Sequence, residues 1–142
     1  MSPALTGAPT ATRLRRVVTR LMKVMRRDTD AELSPSLLSA LATLEDHGAQ
    51  RISSLAAAES VDPSVATRVV SSLEERRYVE RRDDPDDRRA CVVALTAKGH
   101  RTLERLGTEQ AATLAARLER LGARDVRAIE AALPALERLL DA

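Results

Sequence analysis

Two sets of side chains in this 142-residue chain carry hydrogen-bond donors at spacings suited to a polyanion. The first is Ser64, Thr67 and Arg68, just after an Asp62-Pro63 step. The second is Asp87, Arg88 and Arg89, within the charged run DDPDDRR over residues 83–89. Small hydroxyl donors beside one long guanidinium suit contacts to phosphate oxygens and base edges. A carboxylate two residues from an arginine can orient the guanidinium and leave some of its five donors free. Either set alone also fits a plain surface: polar residues on a wet helix face, or a solvated charge cluster on a loop. The carboxylates of Asp83, Asp84, Asp86 and Asp87 would repel DNA if they all faced it, so some must hold arginines instead.

The elements that would position these groups are legible between Arg51 and Gly99. Ser53 can cap a short helix whose turns run from Ser54 to Glu59, with Leu55, Ala56 and Ala58 as its apolar face. Ser60 and Val61 form a turn. Asp62 is a strong N-cap, and Pro63 at the first helical position lacks only an N–H that has no helical partner there. A second helix is predicted from Pro63 to Arg76. Val65, Val69 and Leu73 recur along it at four-residue spacing, widened by Ala66 and Val70, and that face packs inward. Two strands follow, Tyr78–Arg82 and Ala90–Leu95, joined through Pro85. Cys91, Val93 and Leu95 share one face of the second strand, so Cys91 reads as a small buried hydrophobe. This order is a winged helix-turn-helix. A helix flanked by such a hairpin fits one major groove and the adjacent minor groove of double-stranded DNA.

The run Asp87-Arg88-Arg89, then ACVVA, then Leu95-Thr96-Ala97-Lys98-Gly99, with SSLAAAESVDPSVATRVVSSLEERRYVERR upstream, resembles the MarR family of bacterial transcriptional regulators. The resemblance extends from about Thr12 to Leu140. It implies a mainly α fold with a small β wing, in one domain over residues 1–142. Residues 33–100 would form the winged helix-turn-helix, flanked by N- and C-terminal dimerisation helices over 12–32 and 101–142. It further implies that Asp87 orients Arg89 for the minor groove, that Arg88 touches phosphate, and that Ser64, Thr67 and Arg68 contact the major groove. Ser53 and Ser54 complete the expected DNA-binding set. The implied function is a repressor that binds a pseudo-palindromic operator as a homodimer. A small aromatic or phenolic effector would release it. One position departs from the family pattern: the usual glycine between recognition helix and wing is Arg77. Arginine in the left-handed conformation costs about 1 kcal/mol, so the wing's angle depends on how this turn closes.

The flanking regions read as amphipathic helix. Thr12 can cap a helix to about Arg27 that carries Leu14, Val17, Val18, Leu21, Val24 and Met25, leaving MSPALTGAPT as a loose arm. Ser34-Pro35 opens a helix bearing Leu37, Leu38, Leu41 and Leu44, which Gly48 stops. Thr96 begins a long helix to about Leu121, and Gly122 breaks it. The last helix holds Val126, Ile129, Leu133, Leu136, Leu139 and Leu140, with a kink expected at Pro134. Leucine-rich helices on both sides of a small module predict a helical dimer interface, packing within one chain being the alternative.

Composition narrows the function classes. The net charge is only +2 and there is neither Phe nor Trp, so the DNA reading stands on motif order rather than bulk charge. A ligand pocket in such a chain would be aliphatic, with Arg16 and Arg20 available to meet an anion; a solvated helix face is the other account of these arginines. His47 and His100 are the only histidines and Cys91 the only cysteine, with no pair at metal-ligand spacing, no phosphate loop and no nucleophile elbow. No enzymatic activity, cofactor or metal is expected. The lone cysteine, the lack of a membrane-length apolar run and the lack of a signal-peptide pattern predict a bacterial cytoplasmic, nucleoid-associated protein. Two other classes remain open: an effector-independent or architectural DNA binder, and a winged-helix module that docks proteins.

Overall fold

The computed structural model describes residues 4–27 and 33–142, with side chains from residue 7 onward in the first segment. Its contacts divide the chain into two units, Thr29–Thr108 and Met1–Asp28 with Glu109–Ala142. Residues 1–3 of the expected arm and 28–32 of the expected first dimerisation segment lie outside the described residues.

In the first unit, proline and glycine set the helix boundaries. Helix α2 runs Pro35–His47 after an extended Ser34, and Gly48 ends it at φ 77 with its N–H on the Leu44 carbonyl. That positive φ is where glycine is favoured. Helix α3 is Ile52–Glu59 and α4 is Pro63–Glu75. The residue before α3 is Arg51, not Ser53, and its carbonyl accepts the Leu55 N–H at 3.0 Å. The expected serine cap is overridden by tertiary pairing: Gln50 and Val93 exchange both backbone hydrogen bonds, which extends the chain up to Arg51. Asp62 precedes α4 as expected, although its carbonyl rather than its side chain serves Val65 and Ala66.

Strands β1 (Val79–Asp83) and β2 (Cys91–Leu95) pair antiparallel, with Val79 opposite Leu95 and Asp83 opposite Cys91. Both begin one residue later than expected. Leu41, Val70, Leu73 and Val93 are fully buried in one cluster with Leu37, Leu44, Leu55, Tyr78, Val79, Leu95 and Leu106. Each large aliphatic side chain taken from water here contributes about 1.5–3 kcal/mol. On α4 the deepest line is Ala66, Val70 and Leu73, with Val65 and Val69 only half-buried; Ala58 on α3 is exposed. Cys91 is also exposed, contrary to expectation. It follows the two-residue period of Val93, but it lies at the turn end of the hairpin, opposite Asp83 and past the last core residue.

Helix α5 (Ala97–Leu118) begins at the LTAKG run, and the structure gives that motif a physical reason. The Thr96 hydroxyl oxygen accepts the Gly99 N–H at 3.1 Å and donates to the Arg77 carbonyl at 2.6 Å. Lys98 Nζ donates to the Arg76 carbonyl at 2.8 Å and stands 4.5 Å over the Tyr78 ring. A Cβ on Gly99 would fall 2.3 Å from the Tyr78 carbonyl oxygen, so only glycine permits this approach. With the Thr96 N–H on the Tyr78 carbonyl at 3.1 Å, the three carbonyls of the turn at 76–78 are held by the start of α5. Arg77 adopts φ 61, the left-handed conformation usual for a glycine there. Its strain is held by the bonds on its own and its neighbours' carbonyls.

The second unit comprises α1 (Ala4–Arg27), the end of α5 and α6 (Ala123–Leu140). Helix α1 starts well before Thr12 and runs through Pro9. Proline's φ is compatible with a helix, and Thr12 does not cap but returns its hydroxyl to the Ala8 carbonyl at 3.0 Å. Helix α5 stops three residues short of Leu121, because the bonds Arg120 N–H to Arg117 O and Leu121 N–H to Leu118 O tighten into a turn. Pro134 lies inside α6, and no residue of α6 is buried.

Candidate nucleic-acid interface

Ser64, Thr67 and Arg68 project from the outer side of α4, all exposed, while Ala66 and Val70 face the core. The Thr67 hydroxyl donates to the Pro63 carbonyl at 2.8 Å, so what it offers outward is an acceptor oxygen and a methyl group. Ser53 and Ser54 are exposed on the first turn of α3. Arg88 and Arg89 lie exposed in the tip of the hairpin, between Asp83 at the end of β1 and Cys91 at the start of β2.

The acids of the tip are arranged differently from the expectation. Asp87 accepts the backbone N–H of Arg89 at 3.0 Å and does not pair with its guanidinium. It orders the Arg89 backbone and leaves the guanidinium unattached. Asp84, which sequence reasoning treated as one of a charge cluster, is the organising residue. It is only 7% exposed. Its Oδ1 accepts the Asp86 N–H at 2.9 Å and its Oδ2 accepts Arg51 Nε at 2.6 Å. The first of these is an Asx turn around Pro85, legible in principle from Asp-Pro-Asp. The second joins residues 33 apart and leaves no local signature. The Asp86 N–H and the Arg51 guanidinium hold the Asp84 carboxyl below its ordinary pKa. Arg51 is raised in turn, mainly by Asp84, with smaller contributions from Asp87 and Asp86.

The arginines sort into two groups. Arg51, Arg81 and Arg82 are bound to Asp84, Glu74 and Glu80 at 2.6–2.8 Å. Arg68, Arg88 and Arg89 form no ion pair among the described residues. Exposed pairs such as Arg82–Glu80 add at most about 1 kcal/mol of stability. Their larger effect is to occupy the strand guanidiniums, so that Arg68 on the recognition helix and Arg88 and Arg89 at the wing tip stand apart as arginines without a carboxylate partner.

Residues 33–91 match the MarR family. An HTH-type transcriptional regulator of Mycobacterium bovis, Mb0904, is 32% identical over 125 residues, 87% of each chain. The chain belongs to the MarR family. The transcriptional repressor MprA of Escherichia coli K12 is 38% identical over 73 residues, which are 50% of this chain and 42% of MprA. Several further relatives are likewise matched over about half of their length. A MarR family protein from Bacillus stearothermophilus superposes with a TM-score of 0.81 at 22% identity over the full length of both chains, sharing its fold. MarR proteins and these relatives are transcriptional regulators rather than enzymes, so the chemistry to explain is recognition. Consistent with that, His47 is an exposed residue at the end of α2, bonded to the Thr43 carbonyl, and His100 pairs with Glu45 at 2.8 Å on the surface. No described helix is long and apolar enough to cross a membrane.

Proposed function

We propose that this MarR protein is a dimeric repressor that reads a pseudo-palindromic operator. Helix α4 enters the major groove through Ser64, Thr67 and Arg68, with Ser53 and Ser54 on the adjoining backbone; the wing places Arg89 in the minor groove and Arg88 on phosphate. The observation that carries this reading is the separation of arginines into paired and unpaired sets. On the strand β1 Arg81 and Arg82 are bound by carboxylates, as Arg51 is by Asp84, whereas Arg68 on the helix and Arg88 and Arg89 at the tip are not, among the described residues. Free guanidiniums beside hydroxyls are the donor set that phosphates and base edges take. Repression is the direction that MprA's name supports. The second copy is argued from the apolar stripes of α1 and α6, where Val17, Val18, Leu21, Leu133 and Leu136 stay exposed in the single chain.

An effector, in this reading, is a small organic anion held on α1. Every charged residue between Ala4 and Arg27 is basic. Arg13, Arg16 and Arg20, with Pro9, Thr12 and Val17, lie together along one open face of the helix. A carboxylate or phenolate would meet Arg16 and Arg20 while its apolar part lies on Val17.

The test is selection of bound duplexes from random DNA, followed by gel-shift titration. Arg89→Ala should weaken binding by about 1–3 kcal/mol, and Arg68→Ala should relax preference at one position per half-site. Equal losses from Arg68→Ala, Arg89→Ala and a distant Arg124→Ala would reduce the interaction to non-specific charge.

A further inference from the structure

We infer that Asp84 is the positioning residue of the wing: by holding Arg51 and the tip backbone together, it fixes where Arg88 and Arg89 stand relative to the recognition helix. The inference rests on the reading that the wing enters a DNA groove.

The tip from residue 84 to 90 has no apolar anchor. Apart from Asp84 and the half-buried Ala90, every residue in it is exposed. What closes it is hydrogen bonding. The Asp84 N–H meets the Ala90 carbonyl at 3.2 Å, the Ala90 N–H meets the Asp87 carbonyl at 3.1 Å, and Asp87 takes the Arg89 N–H. These bonds shape the tip but tie it only to itself. The strands are anchored at their base by Val79, Val93 and Leu95 in the core, so the direction of the tip beyond them depends on a tie of its own. Among the described residues the Arg51–Asp84 pair is the one ion pair that joins the tip to the helix-turn-helix, at the residue that precedes α3. Arg51 is a firm post. Gln50 before it is bonded both ways to Val93 at 3.0 and 2.7 Å, and its own carbonyl receives the first turn of α3. The position of the wing is thereby referred to the helix-turn-helix itself.

The pair also manages charge. Asp87 and Asp86 add weaker attractions on Arg51 to that of Asp84. Without Arg51, the tip would present three carboxylates beside its two free arginines. Arg51 thus supports DNA binding without needing to touch DNA.

This assigns a sign that simple electrostatics reverses, since deleting an acid near DNA should tighten binding. The probe is the duplex selected by the wild-type chain. Asp84→Ala should bind it about ten-fold or more weaker, with helix content and oligomeric state unchanged. Arg89→Ala, costing about 5- to 150-fold in the wild type, should cost less than about two-fold in the Asp84→Ala background, because a mispositioned arginine has nothing left to lose. A general loss of stability would leave the Arg89→Ala effect intact. If Asp84→Ala does not fold, Arg51→Gln carries the same cycle, since it leaves the Asp84–Asp86 turn in place. Equal or tighter binding by the variant, or an undiminished Arg89→Ala effect, would overturn the inference. A wild-type chain that selects no duplex would instead remove the DNA reading, and this inference with it, before any variant is compared.

Discussion

The unit spanning Thr29–Thr108 and the helical unit made of the two ends of the chain spend their leucines and valines differently. In the first, Leu41, Val70, Leu73 and Val93 are 0% exposed and pack on one another from two helices and a strand. In the second, α6 has no buried residue, Leu140 is 86% exposed and Val17 is 47% exposed, although α1 and α6 both carry a regular apolar stripe. A helix with such a stripe is built to be covered along it. The first unit therefore closes its own core, whereas the second has its apolar residues in order and lacks a neighbour. In the proposed reading that neighbour is a second copy, and a two-fold interface would cover the same stripe twice.

Breaking the second unit should give the largest effect. Leu136→Glu places a carboxylate in each half of a symmetric interface, where an unpaired buried charge costs several kcal/mol or forces the contact apart. Light scattering with circular dichroism should show monomer or unfolded protein, and tight operator binding should be lost. A folded dimer with full activity would move the interface elsewhere. Leu41→Ala probes the other unit: a cavity in a closed core should lower stability by about 2–5 kcal/mol in denaturant titration, while the dimer persists wherever the chain is folded. Loss of the dimer in the still-folded Leu41→Ala variant would blur the contrast between the units.

The smallest effect belongs to acid. The Asp84 carboxyl is held below its ordinary pKa by the Asp86 N–H and by Arg51. The charged form is thus favoured by folding. Its contribution is complete above the usual carboxylate range and is lost as the pH falls through that range toward the lowered value. Thermal melts from neutral to acid pH should show a shallower acid decline for Asp84→Asn than for wild type. An unchanged slope would mean that the pair does not persist in solution.

These contrasts also explain what could be read from the sequence. Asp62-Pro63, Gly48 and the LTAKG run act within a few residues, so the helix-turn-helix, the wing and the start of α5 were legible to within a residue or two. The outward set on α4 was legible too, because the helical period separates Thr67 and Arg68 from Ala66 and Val70. What escaped depends on distant partners. The start of α3 follows from the Gln50–Val93 bridge, and the role of Asp84 follows from Arg51, 33 residues earlier. Cys91 had the right period for burial, but the period does not tell where the core ends along a strand. At Asp87 the spacing identified an acid acting on Arg89, while the choice of backbone over guanidinium is a matter of local turn geometry.

The central claim is that two copies present two recognition helices to one stretch of DNA. Sedimentation of the selected duplex with increasing protein tests it most directly. The account predicts two chains per duplex, half-sites centred about 10–10.5 base pairs apart, and a sharp loss of affinity when half a turn is inserted between them. One chain per duplex, or affinity indifferent to the spacing, would contradict it.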